Sequence, residues 1–122
     1  MDLSSLSSLL RENVLDIRFT RRRPKAGSST RRMICTMSEN ILNSVNGRTV
    51  LNYLPPAGSN KTYNPHAKNL ALAWDILLQD FRTISTESVQ LLAQYDEEQF
   101  WPYFNESLLP LSPGDKMALM NG

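Results

Sequence analysis

The sequence has little cysteine or histidine and no long apolar run. One Cys and one His stand among 122 residues. A single Cys excludes an internal disulfide framework, and one residue of each type cannot supply the ligands of a Cys/His zinc site. No apolar stretch approaches the roughly 20 residues of a membrane span, and the N-terminus lacks the basic start and apolar core of a secretory signal. We therefore expect one intracellular domain with no metal, cofactor or membrane contact.

Catalytic motifs are equally scarce. None of the five Gly residues forms a phosphate-binding Gly-x-x-x-x-Gly-Lys or Gly-x-Gly pattern. His66 lies beside Pro65, which favours a surface position over a role as general base. Cys35 falls on a strand candidate, where a buried and inert thiol is expected. Asp75 and Asp80 could pair around a divalent ion, but a solvated turn explains both. The sequence predicts a protein that is not an enzyme.

Charge is balanced overall but unevenly placed, with 13 Lys+Arg against 12 Asp+Glu. Residues 1–86 hold 12 basic and six acidic side chains, a net +6, whereas residues 87–122 hold one basic and six acidic, a net −5. Seven of the basic residues fall within residues 18–32. This asymmetry predicts an anion-facing surface and an acidic tail, or a tail that folds over its own basic patch.

Periodicity predicts one helix and five strands. A single apolar stripe and an N-cap at Asp2 indicate a helix over residues 2–12. Alternation of apolar residues predicts strands over 14–21, 30–37, 70–76, 81–84 and 88–93. Residues 22–29 are expected to be the loop of a basic hairpin. A helix over residues 70–80 is an open alternative, because the large apolar residues there also match helical spacing.

Two segments depart from this pattern. An insert over residues 38–69 separates the second and third strands, and Asn46-Gly47 within it predicts a second small hairpin with a type I′ turn. Residues 1–94 are taken as the domain and residues 95–122 as an acidic, aromatic extension. Five of the ten aromatic residues lie in residues 95–104. There an acidic helix start is interrupted by Pro102, and an irregular end follows.

Four short motifs, in the order of these elements, resemble those of a known family: Phe19-Thr20, Arg31-Arg32-Met33-Ile34-Cys35-Thr36, Trp74-Asp75-Ile76 and Phe81-Arg82-Thr83-Ile84. The family comprises small tailed-phage proteins of unknown function, WYL-like by name, that are classed as Sm-like small β-barrels. The similarity covers residues 14–92, and its motifs are structural rather than catalytic. It implies a mostly β (α+β) fold, a five-stranded barrel capped by the N-terminal helix, and a protein in the cytoplasm of an infected host cell.

The basic hairpin is the strongest functional signal. Clustered guanidinium groups bind phosphates because each presents a planar fork of donors, and small barrels bind single strands by stacking bases on aromatic rings. We therefore expect a non-catalytic phage accessory protein that acts by binding and contacts nucleic acid. The predicted contact residues are Arg18, Arg21, Arg22, Arg23, Lys25, Arg31 and Arg32, with Tyr53 and Tyr63 as stacking groups.

The same features leave alternatives open. The chain could be a protein-binding regulator or inhibitor of a host nucleic-acid machine, such as a polymerase or a defence effector. The basic hairpin would then meet an acidic protein surface, and the rings of the extension would form a second contact. Those rings are Phe100, Trp101, Tyr103 and Phe104. Their alternative role is to pack a C-terminal helix on the chain's own domain. Open strand edges also allow a homo-oligomer.

Overall fold

The computed structural model describes residues 2–25, 28–54 and 70–121, without the side chains of residues 21–25 and 28–29. Its elements follow one another in a mixed α and β order. They are α1 (Leu3–Glu12), β1 (Val14–Lys25), β2 (Ser28–Thr36), α2 (Glu39–Leu42), α3 (Val45–Thr49), β3 (Leu70–Asp75), β4 (Asp80–Ser85), a 3₁₀ turn (Thr86–Ser88), β5 (Gln90–Tyr95), α4 (Glu97–Tyr103), a π turn (Phe104–Leu108) and α5 (Pro113–Met120).

The N-terminal helix confirms the pattern that predicted it. The Asp2 side chain accepts a 2.7 Å hydrogen bond from the Ser5 N–H, which satisfies a donor left without a helical partner in the first turn. Leu6 and Leu10 are buried on the predicted apolar stripe. The helix therefore begins at its cap and packs through its leucines.

The predicted barrel is wrong, because the five strands form an open antiparallel sheet in the order β4-β3-β2-β1-β5. Closure would require β4 to pair with β5. Instead the 3₁₀ turn Thr86–Ser88 carries the chain from one edge of the sheet to the other. Residues 70–75 form a strand, so the helical alternative there is also wrong.

Helices on both faces explain why the sheet stays open. Leu15 and Ile17 of β1 pack in one cluster with the α1 leucines Leu6 and Leu10. Neighbouring positions face the opposite way, since side chains alternate along a strand. On that second face, Val14 packs with residues of α2, α4, the π turn and α5. Helices thus bury the apolar surface that the opposite wall would cover in a barrel.

The insert contains helices where a second hairpin was predicted. Gly47 lies inside α3, whose N-cap Ser44 accepts a 2.9 Å hydrogen bond from the Gly47 N–H. A Cβ at Gly47 would stand 2.2 Å from the carbonyl oxygen of Ile41. Glycine is needed here for this close backbone approach and not for a turn with positive φ, so the Asn-Gly pattern misled the prediction.

The C-terminal extension begins with the predicted acidic helix, now α4, but it ends in a further helix, α5, where an irregular end was predicted. A capping box begins α4: Asp96 accepts from the Gln99 N–H, and Gln99 accepts from the Asp96 N–H. Pro102 cannot donate to the carbonyl four residues earlier. The chain nevertheless continues past it into the π turn, where the Leu109 N–H donates to the Phe104 carbonyl at 2.8 Å.

Candidate nucleic-acid interface

The paired strands β1 and β2 continue beyond their neighbours in the sheet. β1 pairs with β5 as far as Arg18, and β2 pairs with β3 at Cys35 and Thr36. Farther along, the strand pairing described is between β1 and β2 themselves, from Phe19↔Arg31 to Lys25↔Ser28. We call residues 19–25 and 28–31 the ribbon. Most of the loop predicted over residues 22–29 is therefore strand.

An irregular register lies near the end of the ribbon. The pairing shifts between Thr20 and Lys25, the interval that contains Pro24. Proline has no N–H to donate to a ladder and is tolerated in sheets at edges and bulges. Bulges increase local twist, so the ribbon is expected to twist more strongly here than in the body of the sheet.

The base of the ribbon is held by contacts to distant parts of the chain. The Thr20 N–H donates to the Ser88 side chain of the 3₁₀ turn at 3.1 Å. On β2, Arg31 forms an ion pair with Asp75, and Arg32 forms one with Asp16. These contacts fix the ribbon where it leaves the sheet.

The Arg32–Asp16 pair is bidentate and buried on its acidic side. Arg32 Nε donates to Asp16 Oδ1 at 2.8 Å, and Nη2 donates to Oδ2. The Asp16 side chain is 2% exposed and that of Arg32 is 30% exposed. The hydrogen bond to Asp16 raises the pKa of Arg32, against the effect of its partial burial. Both carboxylate oxygens are thus matched by the planar fork of the guanidinium.

The Arg31–Asp75 pair is buried more deeply. Asp75 Oδ1 also accepts from the N–H groups of Leu77 and Leu78, at 3.1 Å each. Burial raises the pKa of Asp75, although these hydrogen bonds and Arg31 lower it. Arg31 also approaches the Met120 sulfur of α5 at 3.9 Å. Arg31 therefore joins β2 to the end of β3, where Asp75 also binds the turn that follows.

Arg31 and Arg32, two of the seven predicted phosphate-binding residues, therefore pair with carboxylates of their own chain. Arg18 lies opposite Arg32 on β1 and is half-buried. The other four belong to the β1 strand of the ribbon, and the structure describes their backbone but not their side chains. We call these four the tip cations: Arg21, Arg22, Arg23 and Lys25.

The structure describes one of the two tyrosines that were predicted to stack on bases. Tyr63 lies outside the described residues. Tyr53 is 7% exposed and packs edge-to-face against Trp74, with centroids 5.1 Å apart, and against Phe81 at 6.0 Å. Arg48 lies over the Tyr53 ring, 5.7 Å from its centroid. In this arrangement the ring is part of the core and offers little surface to a base.

The rings of the extension pack on the chain's own sheet. Phe100 and Phe104 are buried in the cluster on the second face, and Trp101 and Tyr103 are half-buried against it. Tyr103 stacks on Tyr95 of β5, with centroids 4.3 Å apart. Burial, followed by the influence of Tyr95, raises the pKa of Tyr103 to about 12. The four rings predicted to contact a partner thus contribute here to internal packing.

The remaining chemical candidates are Cys35, Asp75, Asp80 and His66. Cys35 is buried, and burial raises the pKa of its thiol. Asp80 pairs with Arg82 at the surface, while Asp75 is engaged by Arg31. His66 is outside the described residues. Within the described chain, no three His, Cys, Asp or Glu side chains are grouped so as to hold a metal ion.

Sequence reasoning missed Asp16 and Asp75 as partners of the two arginines. A signal was present, because Asp16 lies between Leu15 and Ile17 and Asp75 lies between Trp74 and Ile76. A carboxylate in such a position needs a partner when the strand is buried.

Across residues 2–25, 28–54 and 70–121, no helix has the length and apolar character needed to cross a membrane. A comparison with protein-family models, with curated proteins and with solved structures finds no match.

Proposed function

We propose that this chain is a non-catalytic protein that acts by binding, and that the ribbon tip contacts nucleic-acid phosphates. The observation that carries the proposal is the ribbon itself: two strands, paired with each other beyond their neighbours, that bear the four tip cations. The phage accessory role implied by the family resemblance belongs to the same proposal.

The ion pairs at the base of the ribbon limit how many phosphates it can contact. Arg31 and Arg32 already have carboxylate partners, and breaking a buried pair leaves an uncompensated charge. Arg18 is half-buried opposite Arg32, outside the ribbon, so the four tip cations are then the principal phosphate contacts. Binding to duplex DNA should weaken with a log–log salt slope of about −3.6 for four phosphates, against about −6.3 for seven.

Salt titration separates these two counts clearly. Between about 50 and 200 mM salt, the slope for four phosphates corresponds to an affinity loss of about 150-fold. The slope for seven corresponds to a loss of about 6000-fold. Fluorescence anisotropy with a labelled duplex would measure both the affinity and the slope.

A pair of matched double variants localises the contact. Arg21→Ser/Arg23→Ser removes two tip cations and should reduce the slope from about −3.6 to about −1.8. Arg11→Ser/Arg48→Ser removes the same charge from exposed positions on α1 and α3 and should leave the slope unchanged. Equal effects of the two variants would contradict a contact through the ribbon.

Absence of binding at about 50 mM salt would refute the proposal. An acidic surface of a host protein would then be the partner of the ribbon, as expected of a regulator or inhibitor. Capture of such a protein from host lysate, unchanged by nuclease treatment, would identify it. Light scattering tests the homo-oligomer separately, since the edge strands β4 and β5 each have one partner in the sheet.

A further inference from the structure

The ribbon has the dimensions of an element that enters a groove. On β2 the ribbon extends about 10 Å from Arg31 to Ser28, at about 3.3 Å per residue, and β1 lies about 4.8 Å away where the two strands pair. The β1 segment between Thr20 and Lys25 is three residues longer than the β2 segment that it faces, so it bulges out of the ladder. The major groove of B-form DNA is about 12 Å wide and 8.5 Å deep, and it admits a two-stranded β-ribbon. The ribbon is thus long enough to reach the groove floor while its base remains in the sheet.

The base of the ribbon is held by contacts to other elements, which favours insertion as a preformed unit. The Arg31–Asp75 pair ties it to the end of β3, and the Thr20–Ser88 hydrogen bond ties it to the 3₁₀ turn. The Arg32–Asp16 pair joins β2 to β1 next to the ribbon. An element already fixed in its bound orientation loses less conformational entropy on binding.

The low exposure of the aromatic side chains argues against single-stranded nucleic acid as the ligand. Proteins that bind single strands stack successive bases on accessible aromatic rings. In the part of the chain that the structure describes, every aromatic side chain is buried or half-buried. Tyr53 and Trp74 pack on each other, and the rings of α4 face the sheet. These residues provide no platform for bases.

We infer that the ligand of the ribbon is double-stranded DNA and that the ribbon enters its major groove. This inference rests on the proposed function, which requires only phosphate contact. B-form DNA is the duplex that fits, because the major groove of A-form RNA is too narrow and deep for side chains to read. Arginine and lysine bind both the phosphates on the groove walls and the acceptors on the base edges, and the ribbon carries four such residues.

Three probes of one sequence test the ligand class: a 20-base-pair DNA duplex, its single strand, and the corresponding RNA duplex, each at about 100 mM salt. We expect the DNA duplex to bind at least tenfold more tightly than the other two. Equal binding of duplex RNA would overturn the groove inference and leave phosphate contact standing, as would tighter binding of the single strand. Failure of all three probes to bind would refute the proposed function itself.

Groove occupancy needs a separate readout, because higher charge density alone favours a duplex over a single strand. Dimethyl sulfate methylates guanine N7 in the major groove and adenine N3 in the minor groove, so one reagent reports on both. We expect the full chain to protect guanine N7 over a few adjacent base pairs, and Arg21→Ser/Arg23→Ser to lose that protection. Protection of adenine N3 with guanine N7 still reactive would overturn the inference.

Discussion

Replacing Arg32 by Met tests whether this arginine stabilises the fold or binds a ligand. Methionine keeps an unbranched apolar stem but removes the guanidinium, so the Asp16 carboxylate loses two hydrogen bonds. Asp16 is 2% exposed, so water replaces the lost partner only in part, through the space that the guanidinium leaves. We therefore expect the folded state to be destabilised.

The size of the effect follows from the burial of the two groups. Removing one partner of a buried pair costs about 3–5 kcal/mol. Because water reaches the Arg32 side chain, the lower end of about 3 kcal/mol applies. Stabilities of small domains are about 5–15 kcal/mol, so the loss is a large fraction of the total. With a urea m value of about 2 kcal/mol/M, the unfolding midpoint should fall by about 1.5 M.

Equilibrium unfolding in urea measures this change, and Arg82→Met provides the matched control. Arg82 and Asp80 form a 2.9 Å pair, but their side chains are 41% and 62% exposed. Exposed pairs contribute at most about 1 kcal/mol. The control should therefore shift the midpoint by less than about 0.5 M.

Equal midpoint shifts for Arg32→Met and Arg82→Met would refute the reasoning from burial. The double variant Asp16→Val/Arg32→Met adds a second check, since replacing both partners of a buried pair by apolar residues is often neutral. It should recover most of the loss. Oligonucleotide binding supplies a third: Arg32→Met should leave the salt slope unchanged, whereas a decrease of about 0.9 would place Arg32 on a phosphate.

Three further predictions concern other parts of the fold. Gly47→Ala places a methyl group 2.2 Å from the Ile41 carbonyl oxygen, and should cost about 1–3 kcal/mol in urea unfolding; exposed Asn46→Ala is the control, and equal stability of the two variants would contradict the close approach. The pKa of Tyr103 is about 12 in the folded protein against 10.0 ordinarily, so the free energy of unfolding should fall as pH rises from 10 through 12. The Tyr103→Phe variant should lack the part of this decline that comes from Tyr103. If its free energy of unfolding falls with pH as steeply as that of the unchanged protein, the raised pKa is contradicted. Cys35 should react with a thiol reagent only as the chain unfolds, because it is buried and its pKa is raised; rapid labelling of the folded protein would contradict this.

Local patterns predicted those elements whose signals lie within a few residues. The N-cap at Asp2 and the leucine stripe of α1 are local features, and both are confirmed. Alternation located all five strands, although β1 extends to Lys25, beyond the predicted loop boundary. Alternation along a strand predicts which residues share one face of the sheet. It does not predict which other part of the chain covers that face.

Tertiary structure decided the features that depend on distant segments. An apolar sheet face can be buried by the opposite wall of a barrel or by helices, and α1 and the C-terminal helices cover it here. The partners of Arg32 and Arg31 lie 16 and 44 residues away along the chain. No local pattern assigns such pairs, so the sequence placed both arginines among the phosphate contacts. The sequence by itself determined the strands, the first helix and the position of the charges. Packing between distant segments determined the open sheet and which charges are already matched within the chain.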